Sequence, residues 1–178
     1  MKKIVFSFLV ASLLVITSCK DDVLPKPASQ LRLDYPVAEY ASFSSDCPFT
    51  FDINEDAKIK ADNNCGFSIQ YPKMKATIYL TYKPVNNDIT KLLRDAQKLT
   101  FEHVVKADDI TELPFLNRDK KVFGMFYQVN GNAATNAQFY VTDSTRHFVT
   151  GSVYFYAKPN FDSIMLATSY IKDDMQHL

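Results

Sequence analysis

The chain has 178 residues, 47% of them apolar, which is the size of one domain with enough greasy surface to bury a core. Twenty basic side chains balance twenty acidic ones, and loss of Lys2 and Lys3 with a leader would leave 18 against 20, or −2. That excludes the basic stripe of a nucleic-acid binder and the charge excess of a disordered acidic tail.

Met1-Lys2-Lys3 precedes a run from Ile4 to Ile16 that holds only apolar residues and two serines. Such a run is too short for a membrane-spanning helix, which needs about 20 residues. A basic start and a short apolar stretch describe a secretory signal peptide. Ile16-Thr17-Ser18-Cys19 resembles a bacterial lipobox: a branched apolar residue, two small ones, then cysteine. In proteins with such a box the leader is cut before the cysteine, whose thiol takes a diacylglycerol. The division expected is 1–18 signal peptide, 19–30 lipidated tether and 31–178 one globular domain. Each buried acyl methylene contributes about 0.8 kcal/mol, and stable anchoring takes two chains or a second signal. An ordinary signal peptide, with Cys19 in a later disulfide, is the plainer alternative.

Lys20-Asp21-Asp22 resembles the surface-export signal of Bacteroidetes-type lipoproteins, or simply opens a solvated linker. The membrane leaflet stays open. Pro25 and Pro27 favour an extended tether. Cys47 and Cys65 are an even pair in an oxidising compartment, so a disulfide is the default and two free buried thiols the alternative. A metal site is not expected from two cysteines with no histidine near.

The domain opens with short strand candidates: "LRLDYP" at 31–36, "CPFTFDIN" at 47–54 and "GFSIQYP" at 66–72. "KMKATIYLTYK" at 73–83 alternates without a slip, with Met74, Ala76, Ile78, Leu80 and Tyr82 on one side. Lys73, Lys75, Thr77, Tyr79, Thr81 and Lys83 take the wet side. The spacing of Ile89, Leu92, Leu93, Ala96, Leu99 and Thr100 then predicts a helix capped by Asn87 or Asp88 and running to about Lys106. Glu102 and Lys106 are placed to pair on it, and His103 sits at the margin of its stripe as a packing residue.

Strands return at 121–129, 138–143 and 147–157, too closely spaced for crossover helices. Asn130-Gly131 is a turn signal in the small-residue connection 130–136, and "DSTR" at 143–146 makes the next reversal. From Pro159 and Asn160 a second helix carries Ile164, Ala167, Ile171, Met175 and Leu178 along one stripe. The fold class expected is α+β: an antiparallel β-sheet with two packed helices, a sandwich similar in element order to the PsbP type. Fourteen Phe and ten Tyr suit strands.

Catalytic templates fail: there is no G-x-S-x-G, Walker loop, G-x-G-x-x-G, H-E-x-x-H or C-x-x-C. Asp143, Ser144 and His147 lie on one turn, whereas a triad draws its members from distant loops. Asp108, Asp109 and Glu112 lack the spacing and glycine of an EF-hand and read as a wet loop after the helix. Exposed tyrosines suit interfaces, which makes Tyr79, with Asn130, Gly131 and Asn132 of the small-residue connection, the candidate docking residues. Tyr154 and Tyr156 share a face that the second helix could cover.

Taken together, "VLPKP", "LRLDYP", "SDCPFTFDIN", "YPKMKATIYLTYKPV", "LLRDAQKLTFEHVVKADDI", "QFYVTDSTRHFVTGSVYFYAKPNFDSI" and "YIKDDM" resemble the gliding-motility lipoprotein GldD family over nearly the whole mature chain. The resemblance implies an envelope lipoprotein needed for gliding, a motility system bound up with type IX secretion. No catalytic residues carry over; Cys19 alone transfers, as the lipidated position. The expectation is a non-enzymatic protein of the cell envelope, at the outer membrane. It has no cofactor beyond the diacylglycerol and N-acyl lipid on Cys19, and its partners are the membrane and other gliding and secretion proteins rather than nucleic acid. A domain for a small ligand or glycan, or a degenerate hydrolase, is the alternative.

Overall fold

The computed structural model describes residues 35–102, 107–156 and 161–178. Cys19, Lys20, Asp21, Asp22, the tether, most of the 31–36 strand candidate, His103, Lys106 and the start of the second helix lie outside the described residues.

Among the described residues nine strands and two helices follow in the order β1 (Tyr40–Phe43), β2 (Phe51–Asn54), β3 (Lys58–Ala61), β4 (Phe67–Tyr71), β5 (Ala76–Pro84), α1 (Ile89–Phe101), β6 (Ala107–Asn117), β7 (Val122–Gly131), β8 (Ala137–Thr142), β9 (His147–Phe155) and α2 (Phe161–His177). β1 and β2 form a small hairpin, and the other seven strands form one sheet in the order β3-β4-β5-β9-β8-β7-β6, with every pairing antiparallel. The α+β expectation is therefore met.

The chain leaves β5 through α1, crosses three strands and re-enters the sheet at its far edge as β6. From there the β6–β9 meander returns, so β9 closes on β5 in a ladder from Ala76↔Phe155 to Pro84↔His147. Antiparallel alternation then fixes two faces. Phe67, Ile69, Ile78, Leu80, Val153 and Phe126 point to one, where the α2 residues Ala167, Ile171 and Met175 complete the core. The predicted α2 stripe holds: Ile164, Ala167, Ile171 and Met175 are buried, and Leu178 packs against the same cluster. The β1–β2 hairpin covers the rest of that core through Phe43 and Phe51, whose rings lie 5.5 Å from Phe67.

The opposite face takes α1. Thr100 Oγ1 donates to Gln138 Oε1 at 3.0 Å, and Phe101 meets the ring edge of Tyr127. Buried Leu92, Tyr127 and Phe148 fill the space beneath. The α1 contacts reach Gln138 of β8 and Tyr127 of β7, while farther along the same face Thr77 and Ser68 are buried and Tyr79 and Tyr156 are exposed.

Four sequence expectations shift. β5 begins at Ala76, because Pro72–Met74 form a 3₁₀ turn and Lys75 takes a left-handed φ of 51°. Asp108, Asp109 and Glu112 belong to the edge strand β6, where the backbone pairs with β7. α1 ends at Phe101, and Glu102 reaches back to Lys98 at 3.7 Å. Tyr35 and Pro36, the visible end of "LRLDYP", are in no strand.

Both sheet edges are blunted against further pairing. β3 is four residues long with exposed Lys58 and Lys60. β6 carries Pro114 and a register shift between Ala107 and Asp109. Cys47 and Cys65 are disulfide-bonded with Cα atoms 5.7 Å apart, pinning the segment before β2 to the turn before β4.

Candidate functional site

The uncovered half of the α1 face carries the tyrosines. Tyr79 projects from β5 and is 38% exposed; Tyr156, just past β9, is 63% exposed. Their hydroxyls meet at 2.5 Å, and the Tyr154 ring stands edge-on to Tyr79 at 5.8 Å. The Tyr156 N–H donates to the Lys75 carbonyl at 2.7 Å, which fixes it beside β5. Thr77, read from the alternation as wet, is buried under these rings. Hydrogen bonds from Thr77 and then Tyr79 hold the Tyr156 phenol below its ordinary value, and the shared bond raises Tyr79. The second helix lies on the opposite face, so it does not cover these tyrosines.

Beside Tyr79 opens a cleft of about 420 Å³ lined by Asp62, Asn63, Asn64, Thr81 and Lys83 among others. Its far wall is the turn that holds Cys65. Asn64 and Cys65 there have left-handed φ values of 55° and 57°, a conformation the disulfide helps to hold. Asp62 accepts the Ser68 hydroxyl at 2.6 Å, which orients its carboxylate.

The remaining candidate docking residues are elsewhere. Asn130 sits at the end of β7 on the α2 face, in a second cleft of about 310 Å³ with Gln128, Thr168, Lys172 and others. Gly131 is buried at φ 102°, and an added Cβ would meet Asp108. Asn132 is exposed. Asn130-Gly131 thus closes β7 rather than forming a two-residue turn. The rest of the connection is structural: Thr135 Oγ1 donates to the Val153 carbonyl at 2.7 Å, and Asn136 Nδ2 to the carbonyls of Val129 and Gly131. The fold therefore places Tyr79 and Asn130 on opposite faces.

A polar cluster that sequence reasoning missed lies under the β1–β2 hairpin. Asp174 of α2 is 2% exposed. It accepts the Tyr40 hydroxyl at 2.7 Å and Asn54 Nδ2 at 2.8 Å, and Asn54 Nδ2 also reaches Tyr170 at 3.0 Å. The Tyr71 hydroxyl turns to the same carboxylate. Burial first, and the Asp174 carboxylate second, push Tyr40 and Tyr71 far above the ordinary phenol value. His177 stacks on Tyr40 at 3.6 Å. These bonds join Asp174 and Tyr170 of α2 to Tyr40 and Asn54 of the hairpin, so the cluster locks α2 to it.

Asp143 Oδ1 accepts the N–H groups of Thr145, Arg146 and His147, while His147 Nδ1 bonds the Tyr82 hydroxyl at 3.0 Å. Those residues make a capped turn. Among the described residues no three His, Cys, Asp or Glu side chains group as metal ligands, and no helix is long and apolar enough to cross a membrane.

The family model described as gliding motility lipoprotein GldD matches residues 20–178. No curated protein and no solved structure matches the chain.

Proposed function

The chain belongs to the gliding motility lipoprotein GldD family, and from that premise we propose that it is a non-enzymatic component that binds or stabilises partner envelope proteins of the gliding and linked type IX secretion machinery. Membership carries a role in gliding motility and a lipid-anchored place in the cell envelope. Cys19 is the proposed lipidated residue and the outer membrane the proposed site.

The observation that supports a docking role is the open tyrosine face. Tyr79, Tyr154 and Tyr156 combine broad rings with polar tips on the paired strands β5 and β9, the kind of surface that anchors interfaces at little entropic cost. The matching test is a photo-cross-linking residue at position 79 in living cells, beside Tyr79→Ala with Tyr156→Ala. The expected result is a discrete protein adduct at 79, and loss of partner recovery and of spreading in the double variant with an unchanged circular dichroism spectrum. Full motility and partner recovery in that variant would remove this face from the account.

A second reading has the amides of Asn63 and Asn64 beside Tyr79 in its favour. An aromatic plate next to hydrogen-bonding side chains, in a cleft within the size range of ligand sites, suits a small ligand or glycan. Saturable glycan binding lost in Tyr79→Ala, with no protein adduct at 79, would select it.

A further inference from the structure

The turn joining β6 to β7 combines three features that the docking face does not use. Phe115 is 47% exposed, Leu116 55% and Phe123 36%. Leu116 and Phe123 are cross-strand partners on the α1 face, and Phe115 lies on the α2 face opposite Gly124, which offers it no side chain to pack on. The hairpin end therefore shows apolar side chains on both faces. Arg118, Lys120 and Lys121 follow in the turn, all exposed, with Asp119 as the one acid among residues 117–123, so three cations against one anion leave +2. Asn117 Oδ1 accepts the Lys120 N–H at 3.0 Å, and the Lys121 N–H reaches the Arg118 carbonyl, so the turn is held in shape. At the same end of the sheet the neighbouring reversal adds Arg146, while its Asp143 carboxylate is taken up by backbone N–H groups.

Exposed aromatic and aliphatic side chains ringed by cations match the boundary between acyl chains and anionic headgroups. We propose that the β6–β7 turn is a second membrane contact, in which Phe115, Leu116 and Phe123 seat in the phospholipid leaflet that carries the anchor and Arg118, Lys120 and Lys121 meet its anionic headgroups. The inference rests on the lipid anchoring stated above. Geometry permits it: residues 20–34 can span at most about 50 Å, whereas the seven-strand sheet is about 40 Å corner to corner. A tethered domain meets the surface repeatedly, so a weak contact suffices to orient it.

The chain has no tryptophan, so one introduced indole reports a single place. The full acylated protein carrying Leu116→Trp is reconstituted into vesicles containing brominated acyl chains, either neutral or about one-third phosphatidylglycerol. Phe115→Trp serves as a second reporter and Tyr79→Trp as the control. The expected result is at least about twofold quenching at 116 and 115 in anionic vesicles, with the control unquenched. Each Lys or Arg at such a surface is worth about a fivefold change in contact, so Arg118→Glu with Lys120→Glu and Lys121→Glu should abolish the quenching. Indoles at 115 and 116 as unquenched as the control would overturn the proposal. So would a blue shift without lipid quenching, which would mean that a protein or a second copy covers the turn. Failure of the anchoring itself looks different: the protein would not float with the vesicles at all.

Discussion

Asp174→Ala removes the acceptor that joins α2 to the β1–β2 hairpin. The carboxylate is 2% exposed and receives Tyr40 and Asn54 at 2.7 and 2.8 Å. Hydrogen bonds to a charged group contribute about 1.5–3 kcal/mol each, offset in part by the cost of burying the charge. Truncation also strands Tyr40, Asn54 and Tyr71 without their acceptor, so the loss should be about 3–5 kcal/mol. That is a large share of the roughly 5–15 kcal/mol that holds an ordinary domain folded. Urea denaturation followed by far-ultraviolet circular dichroism should show a lower midpoint at an unchanged slope. Tyr40→Phe, which removes one donor and leaves the acceptor other partners, should cost only about 1–2 kcal/mol. The double variant should lose less than the sum of the two. A loss under about 1 kcal/mol for Asp174→Ala, or full additivity, would mean that the carboxylate does not join α2 to the hairpin.

Gly151→Ala should destabilise by about 1–3 kcal/mol in thermal melts, because the new Cβ would run into the Phe139 ring across the β8–β9 ladder; an unchanged melting temperature would contradict that packing. Cys47→Ser with Cys65→Ser should cost about 3 kcal/mol, since the bond closes a loop of sequence separation 18; equal urea midpoints for the oxidised and reduced wild-type protein would count against it. Tyr40 and Tyr71 have phenols raised above the ordinary value of 10 by burial and then Asp174, so the stability they contribute is fully present below pH 10 and is lost as pH rises beyond it. Tyr40→Phe should flatten that alkaline fall, and a parallel fall in the variant would show that other groups cause it.

What the sequence made legible follows from where periodicity survives. The alternation from Ile78 to Lys83 exposed Tyr79 because Ile78 and Leu80 turn to the core while Tyr79, Thr81 and Lys83 turn away from it; only Thr77 breaks the pattern. The α2 stripe was readable for the same reason: one side of the helix is wholly buried against the sheet. β6 gave no such signal. Leu113 and Phe115 point to one face and Leu116 to the other, all exposed, so no alternation separates core from solvent, and Pro114 with the acids argues against a strand. Its strand character comes from pairing with β7. Asp174 sits in an acidic pair that looks solvated on a helix; its partner Asn54 is 120 residues away, so only the fold buries it. Asn130-Gly131-Asn132 carried a turn signal, which indicates a surface but not which face of the sheet. The exposure of Tyr156 likewise depended on the side that α2 would choose.

The proposed anchor holds this sheet-and-helix domain at the membrane through one sulfur atom. Intact-mass and fragment analysis of the protein extracted from native membranes addresses that directly. The predicted species begins at Cys19 and carries a diacylglycerol on the thiol and an acyl chain on the new amino terminus. A mature chain that starts at another residue, or a residue 19 without acyl groups, would contradict it.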